Sequence, residues 1–204
     1  MASAGELRAV IDGTDPGWLD GVDPALLPAA RNSALGRRLM ARTLAGGTAA
    51  TLLAPSPKPA LDRVLKRWPQ VKLRSLVRNL GVLAFAPVIR AEVGREPVRR
   101  LKQALDKRYL LALDRQVWDG EVSRERQAQL QSVLQDALAR TDTTPALLAL
   151  FNQHGCAELH AWAQLRDPAL TEWLALLHPP GHPRPAAHLP PAAVQQLYAV
   201  HAGN

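Results

Sequence analysis

The chain has 204 residues, 47% of them hydrophobic, a formal charge of +7 and a single cysteine. That length can bury a sizeable core, the apolar fraction is that of an ordinary folded chain, and the lone Cys156 excludes an intramolecular disulfide. Leu and Ala occur 34 times each, against 14 Val and 2 Ile; the first two favour helices and β-branched residues favour strands, so composition alone predicts an all-α fold.

The charge is unevenly placed. Residues 1–57 balance 5 Arg against 5 acids, residues 58–126 carry 17 Lys or Arg against 8 acids, and residues 127–204 carry 3 Arg against 5 acids. A basic middle suits an acidic protein surface, nucleic acid or anionic lipid, or simply a set of solvated helix faces. The start, MASAGELRAVIDGTD, lacks the cationic and then apolar order of a secretory signal. No uncharged apolar run approaches the roughly 20 residues of a membrane span. A cytoplasmic protein without disulfides is the expectation.

Taken in chain order, residues 1–22 read as a short helix and a loop punctuated by Gly13, Pro16, Gly17 and Gly21, with Trp18 and Leu19 able to tuck back onto the body. Asp23-Pro24 is a helix start, and the helix is expected to run to about Leu44 past Leu26, Leu27, Ala30, Leu35 and Leu39, unless Pro28 moves its start. Gly46-Gly47 end it. The stretch Ala54-Pro55-Ser56-Pro57-Lys58-Pro59 cannot be helical and reads as a stiff linker or surface loop.

Leu61, Val64, Leu65 and Trp68 predict a short helix, and Pro69 opens a longer one carrying Leu73, Leu76, Val77, Leu80, Leu83 and Ala84 at helical spacing. Gly81 would let a second helix come close, and Pro87 should split the helix. Gly94 closes this pattern; Glu96-Pro97 reopens it with Val98, Leu101 and Leu105. Ser123 caps a helix to about Ala139, Thr144-Pro145 begins another with Gly155 as an expected break, and Asp167-Pro168 begins a third. A proline-rich loop at 178–191 leads to a terminal helix that would dock Leu197 and Tyr198. The expected architecture is one all-α domain over residues 1–204, a bundle of roughly seven to nine helices.

Few residues offer chemistry. Cys156 and His160 would share a helix face, with His154 nearby, but a tetrahedral zinc needs further ligands, and His178, His182 or His188 could supply them only from a loop. A thiol–imidazole nucleophile would need an oxyanion hole that no motif provides. Gly46-Gly47-Thr48 lacks the order of a phosphate-binding loop. The sequence therefore predicts no catalytic residue, no cofactor and no metal. Trp68, Trp118, Trp162 and Trp173 fall among apolar helical positions and are expected in the core, while Trp18 and Trp118, near loops, are the two that could anchor an interface.

The run from Leu73 to Leu113, LRSLVRNLGVLAFAPVIRAEVGREPVRRLKQALDKRYLLAL, joins an apolar block, Leu80 to Ile89, to a cationic segment. Its LGVLAFAPVIR, GREPVRRLKQAL and YLLAL portions resemble the SctK (YscK-like) cytoplasmic component of bacterial type III secretion systems. Weaker echoes lie at Arg31–Leu35 and from Gly155 to Leu177. The resemblance implies a non-enzymatic, all-α adaptor of the cytoplasmic sorting platform, peripheral to the inner membrane. Such an adaptor sits between the cytoplasmic domains of the ring protein SctD and the pod protein SctQ, and connects through SctQ to SctL and the ATPase SctN. It supplies no catalytic residues to carry over.

From the residues alone, Arg90, Arg95, Arg99 and Arg100 are the expected docking face, with Trp118 as a further partner-binding residue. The rival is a helical DNA-binding regulator using residues 58–126, although few amide or aromatic side chains accompany the arginines for base reading. A secretion chaperone would mix strands with helices and be acidic, unlike this chain.

Overall fold

The computed structural model describes residues 3–203, and the fold is all-α: 70% of the chain is helical, nine helices have seven or more residues, and no strand occurs among the described residues. The residues divide into two compact units, each assembled from separate stretches. The first takes residues up to 71 and 163–183; the second takes 72–162 and the residues from 184 onward. The stiff stretch at 54–59 lies inside the first unit and is not where the chain passes between them.

In the first unit, α1 (Ala4–Gly13) begins with Ser3 and Glu6 satisfying each other's backbone N–H groups, so two otherwise orphaned donors are paired. A single 3₁₀ turn over Pro16–Leu19 buries Leu19, and the Trp18 indole donates to the carbonyl of His178 at 2.7 Å. The helix expected from Asp23 is two helices, α2 (Leu27–Asn32) and α3 (Ala34–Ala45). Pro28 sits in the first turn of α2, where its missing N–H costs nothing. Ser33 is extended and its hydroxyl caps α3 by accepting from the Gly36 N–H, which is why the chain turns there. A Cβ on Gly36 would stand 2.3 Å from the Ala30 carbonyl oxygen, so only glycine allows this turn.

Helix α4 (Ala60–Arg67) completes the early chain in this unit. Trp68, fully buried, ends it, and the Trp173 indole donates to the Trp68 carbonyl at 3.2 Å. Arg63 grips Asp167 through two hydrogen bonds of 2.7 and 2.9 Å. Glu172 accepts from the backbone N–H groups of Thr51 and Leu52, which holds the loop before the prolines.

In the second unit, α5 (Gln70–Ala84) buries Leu73, Leu76, Val77, Leu80, Val82, Leu83 and Ala84, at about 2 kcal/mol for each fully buried leucine side chain. Phe85 leaves the helical conformation, and α6 (Ala86–Ala91) restarts with Pro87 in its first turn, the split that proline predicts. The cationic segment forms α7 (Arg95–Leu105), followed by α8 (Tyr109–Leu113) and α9 (Arg124–Ala139), the last capped by Ser123.

The longest helix is α10 (Thr143–Gln164), and it corrects one expectation: Gly155 does not break it. A Cβ there would lie 1.7 Å from the Val77 carbonyl oxygen, and one on Gly81 would lie 1.8 Å from that of Phe151. The two glycines let α5 and α10 cross with backbones touching, and packing outweighs the helix cost of Gly, about 1 kcal/mol. Helix α11 (Pro168–Leu176), capped by Asp167, belongs to the first unit, and α12 (Pro191–Gly203) to the second. The Tyr198 ring of α12 packs on Trp162 of α10 at 4.7 Å.

Candidate protein-interaction surfaces

Of the predicted docking residues, Arg90 has another role. Its guanidinium donates to four carbonyls: Ala112 at 2.6 Å, Asp119 at 2.6 Å, Trp118 at 2.9 Å and Asp114 at 3.1 Å. It thus gathers the loop after α8, and burial, then the neighbouring Arg115, draws its pKa below the usual guanidinium value. Gly120, at a φ of +91°, lies so close that a Cβ would stand 2.8 Å from an Arg90 nitrogen. Trp118 is only 7% exposed and its ring lies 5.9 Å from that of His188. Arg90 is thus committed to carbonyls, and Trp118 lies in the core, as its place among apolar helical positions predicted.

Helix α7 keeps the rest. Arg95 is exposed. Arg99 and Arg100 converge on Glu96 at 2.6 and 3.0 Å, and their hydrogen bonds hold the Glu96 carboxyl down to about 2. Arg100 also reaches the Leu138 carbonyl at 2.8 Å, which ties α7 to the end of α9. The outer face of α7 therefore presents Arg95 and Arg99.

Other cations of the basic middle are likewise engaged within the fold. Lys66 pairs with Asp62 at 2.6 Å. Arg78 donates to Asn152 and Arg108 to Asn79 and Ser75. Arg126 donates to the Ala186 carbonyl and the His188 ring. His188 in turn touches the Ala84 carbonyl at 3.0 Å, and its backbone N–H and that of Leu189 donate to the buried Glu158 carboxylate. This network straps residues 186–189 to α10.

The sulfur and imidazole groups are placed poorly for chemistry. Burial pushes the Cys156 thiol up to about 11, the opposite of what a nucleophile needs. Burial, then Arg126, pulls His154 down to about 4; its ring packs edge-on against Phe85 at 4.7 Å, and its Nδ1 has no hydrogen-bond partner. His160 is held against Arg184 at 2.9 Å, and His178 stacks on His182 with centroids 5.5 Å apart. No group of three His, Cys, Asp or Glu side chains is arranged to hold a metal among the described residues. No helix among them is long and apolar enough to cross a membrane.

A surface that the sequence reading passed over lies on α3. An open groove of about 630 Å³ runs between α1, α3, the start of α4 and the loop at 52–59. Apart from Arg37, Arg38, Arg42 and Ser56, every residue lining it is Ala, Leu or Pro. Arg37 donates to the Arg31 carbonyl at 2.8 Å, but Arg38 and Arg42 are exposed and have no ion-pair or hydrogen-bond partner among the described residues. Leu35 and Leu39, named along the expected helix, are 67% and 56% exposed beside them, while Met40 and Leu44 take the buried positions of α3. The available signal was the spacing: Arg38 and Arg42 four apart, with Ala34, Ala41 and Ala45 on the neighbouring face.

No protein-family model, curated protein or solved structure matches this chain.

Proposed function

We propose that this chain is a non-enzymatic adaptor that works by binding other proteins, and specifically an SctK-like component of a type III secretion sorting platform. In that role it would join the cytoplasmic domains of SctD to SctQ, and through SctQ reach SctL and the ATPase SctN, at the cytoplasmic face of the inner membrane. The observation that carries the adaptor reading is that each unit, taken by itself, presents its own exposed arginine-bearing helix. In the first it is α3 with Arg38 and Arg42; in the second it is α7 with Arg95 and Arg99. An adaptor needs two such surfaces, and arginine suits paired recognition of carboxylates on a partner. The secretion assignment rests on the resemblance of residues 73–113. Its support is that this run folds as a continuous succession of α5 to α8 around a buried apolar block.

Co-purification of the full chain with a ring-protein cytoplasmic domain and with a pod protein tests the assignment. The expected outcome is capture of both, with Arg95→Glu/Arg99→Glu weakening one partner and sparing the other. Capture of neither, or equal loss of both in a folded variant, would overturn it.

A further inference from the structure

We infer that the groove along α3 is a docking site for an acidic amphipathic helix of another protein. The inference concerns the first unit alone and stands whether or not the secretion assignment holds. Ala34, Ala41 and Ala45 make one wall of the groove, and small side chains there leave room for large apolar ones from outside. From Ala34 to Ala45 is eleven steps along the helix, about 16 Å at 1.5 Å each, the length over which three turns of an incoming helix can lay their anchors.

The walls favour a helix over an extended strand. A strand must satisfy its backbone N–H and C=O groups on the surface it joins, whereas a helix satisfies its own. Here most of the wall is helix whose backbone groups bond within the helix, together with a loop in which Pro55 and Pro59 have no N–H. The occupant's charge follows from the rim. No Asp or Glu lines the groove, and Arg38 and Arg42, one turn apart, have no acidic partner among the described residues. Carboxylates one turn apart on the occupant would meet them, while Leu35 and Leu39 extend the apolar contact past the rim.

Two other occupants fit less well. An anionic membrane surface is held by clusters of about four to eight cations, but residues 1–57 carry as many acids as arginines. A second copy packed symmetrically on this face would bring Arg38 and Arg42 against their own counterparts, a like-charge contact.

The probe is a fluorescein-labelled synthetic peptide of about eighteen residues, with Leu at i, i+3, i+4 and i+7 and Glu flanking that stripe. Fluorescence anisotropy against the full chain is expected to show saturable binding. It should weaken roughly tenfold or more with Arg38→Glu/Arg42→Glu, and weaken as salt rises. Filling the groove with Ala41→Trp should also weaken it, while a variant with unchanged thermal unfolding keeps the result interpretable. Equal binding of the same peptide with Lys in place of Glu would overturn the inference, as would equal binding of a scrambled peptide, or no binding at all. Sedimentation with phosphatidylglycerol vesicles that depends on Arg38 and Arg42 would assign the surface to lipid. A doubling of solution mass abolished by Leu35→Asp would assign it to a second copy. Either result, without peptide binding, refutes the inference.

Discussion

Arg90 and the α3 pair, Arg38 and Arg42, are the same side chain in opposite employment. Arg90 lies in the most basic part of the sequence and is surrounded by carbonyls from residues 112–119. Arg38 and Arg42 lie in the part with no net charge and face solvent beside an apolar groove. The contrast teaches that a run of cations in a sequence marks where charge is made, not where it is free. Free charge depends on which acceptors the fold brings within reach, and those come from distant segments.

The α5–α10 crossing, where no space is left, gives the largest expected effect. Gly155→Ala places a methyl against the Val77 carbonyl and should cost about 3 kcal/mol or more, measured by urea unfolding, because backbone on both sides cannot yield. A cost below about 0.5 kcal/mol, the range of an indifferent surface change, would mean that the two helices are not held in contact.

Arg90→Met comes next. It keeps the apolar stem and removes the donors to four carbonyls, so a loss of about 2 kcal/mol is expected, with faster proteolysis of the loop at 114–122. An unchanged melting curve would return Arg90 to the set of available docking residues.

At neutral pH the smallest effect belongs to His154, whose influence emerges only in acid. The folded His154 holds its proton less tightly than an unfolded histidine, about 4 against 6.5, so the unfolded state binds more protons between those values. Stability should therefore be full above pH 6.5, fall as pH drops through that window, and level off near pH 4, by roughly 3 kcal/mol in all. His154→Leu should flatten that slope without much loss at pH 7.5, since the imidazole Nδ1 leaves no bonded partner behind. An identical slope in the variant would place the acid sensitivity elsewhere.

Much of the fold was legible. The Leu and Ala excess predicted the all-α class; Ser123, Asp167 and Pro87 marked helix starts and the split where they occur, because caps and proline act through neighbouring backbone alone. Gly81 was legible as a close approach, yet Gly155 was read as a break, since a glycine in a sequence does not reveal whether another backbone lies against it. The same limit governs the surfaces. That Trp118 lies beside His188, and that Arg90 is ringed by carbonyls, depends on contacts made across more than twenty residues of chain, although the burial of Trp118 itself was legible. The α3 groove was missed because Ser33 divides the expected helix, and Leu35 and Leu39 are exposed along α3.

The most direct test of this division of labour is a single double variant, Arg38→Met/Arg42→Met, followed by both urea unfolding and peptide anisotropy. The account predicts a stability within about 0.5 kcal/mol of the parent chain, as for surface changes without partners, together with loss of binding to the acidic helical peptide. A variant that unfolds as readily as Arg90→Met, or one that still binds the peptide at full strength, would contradict it.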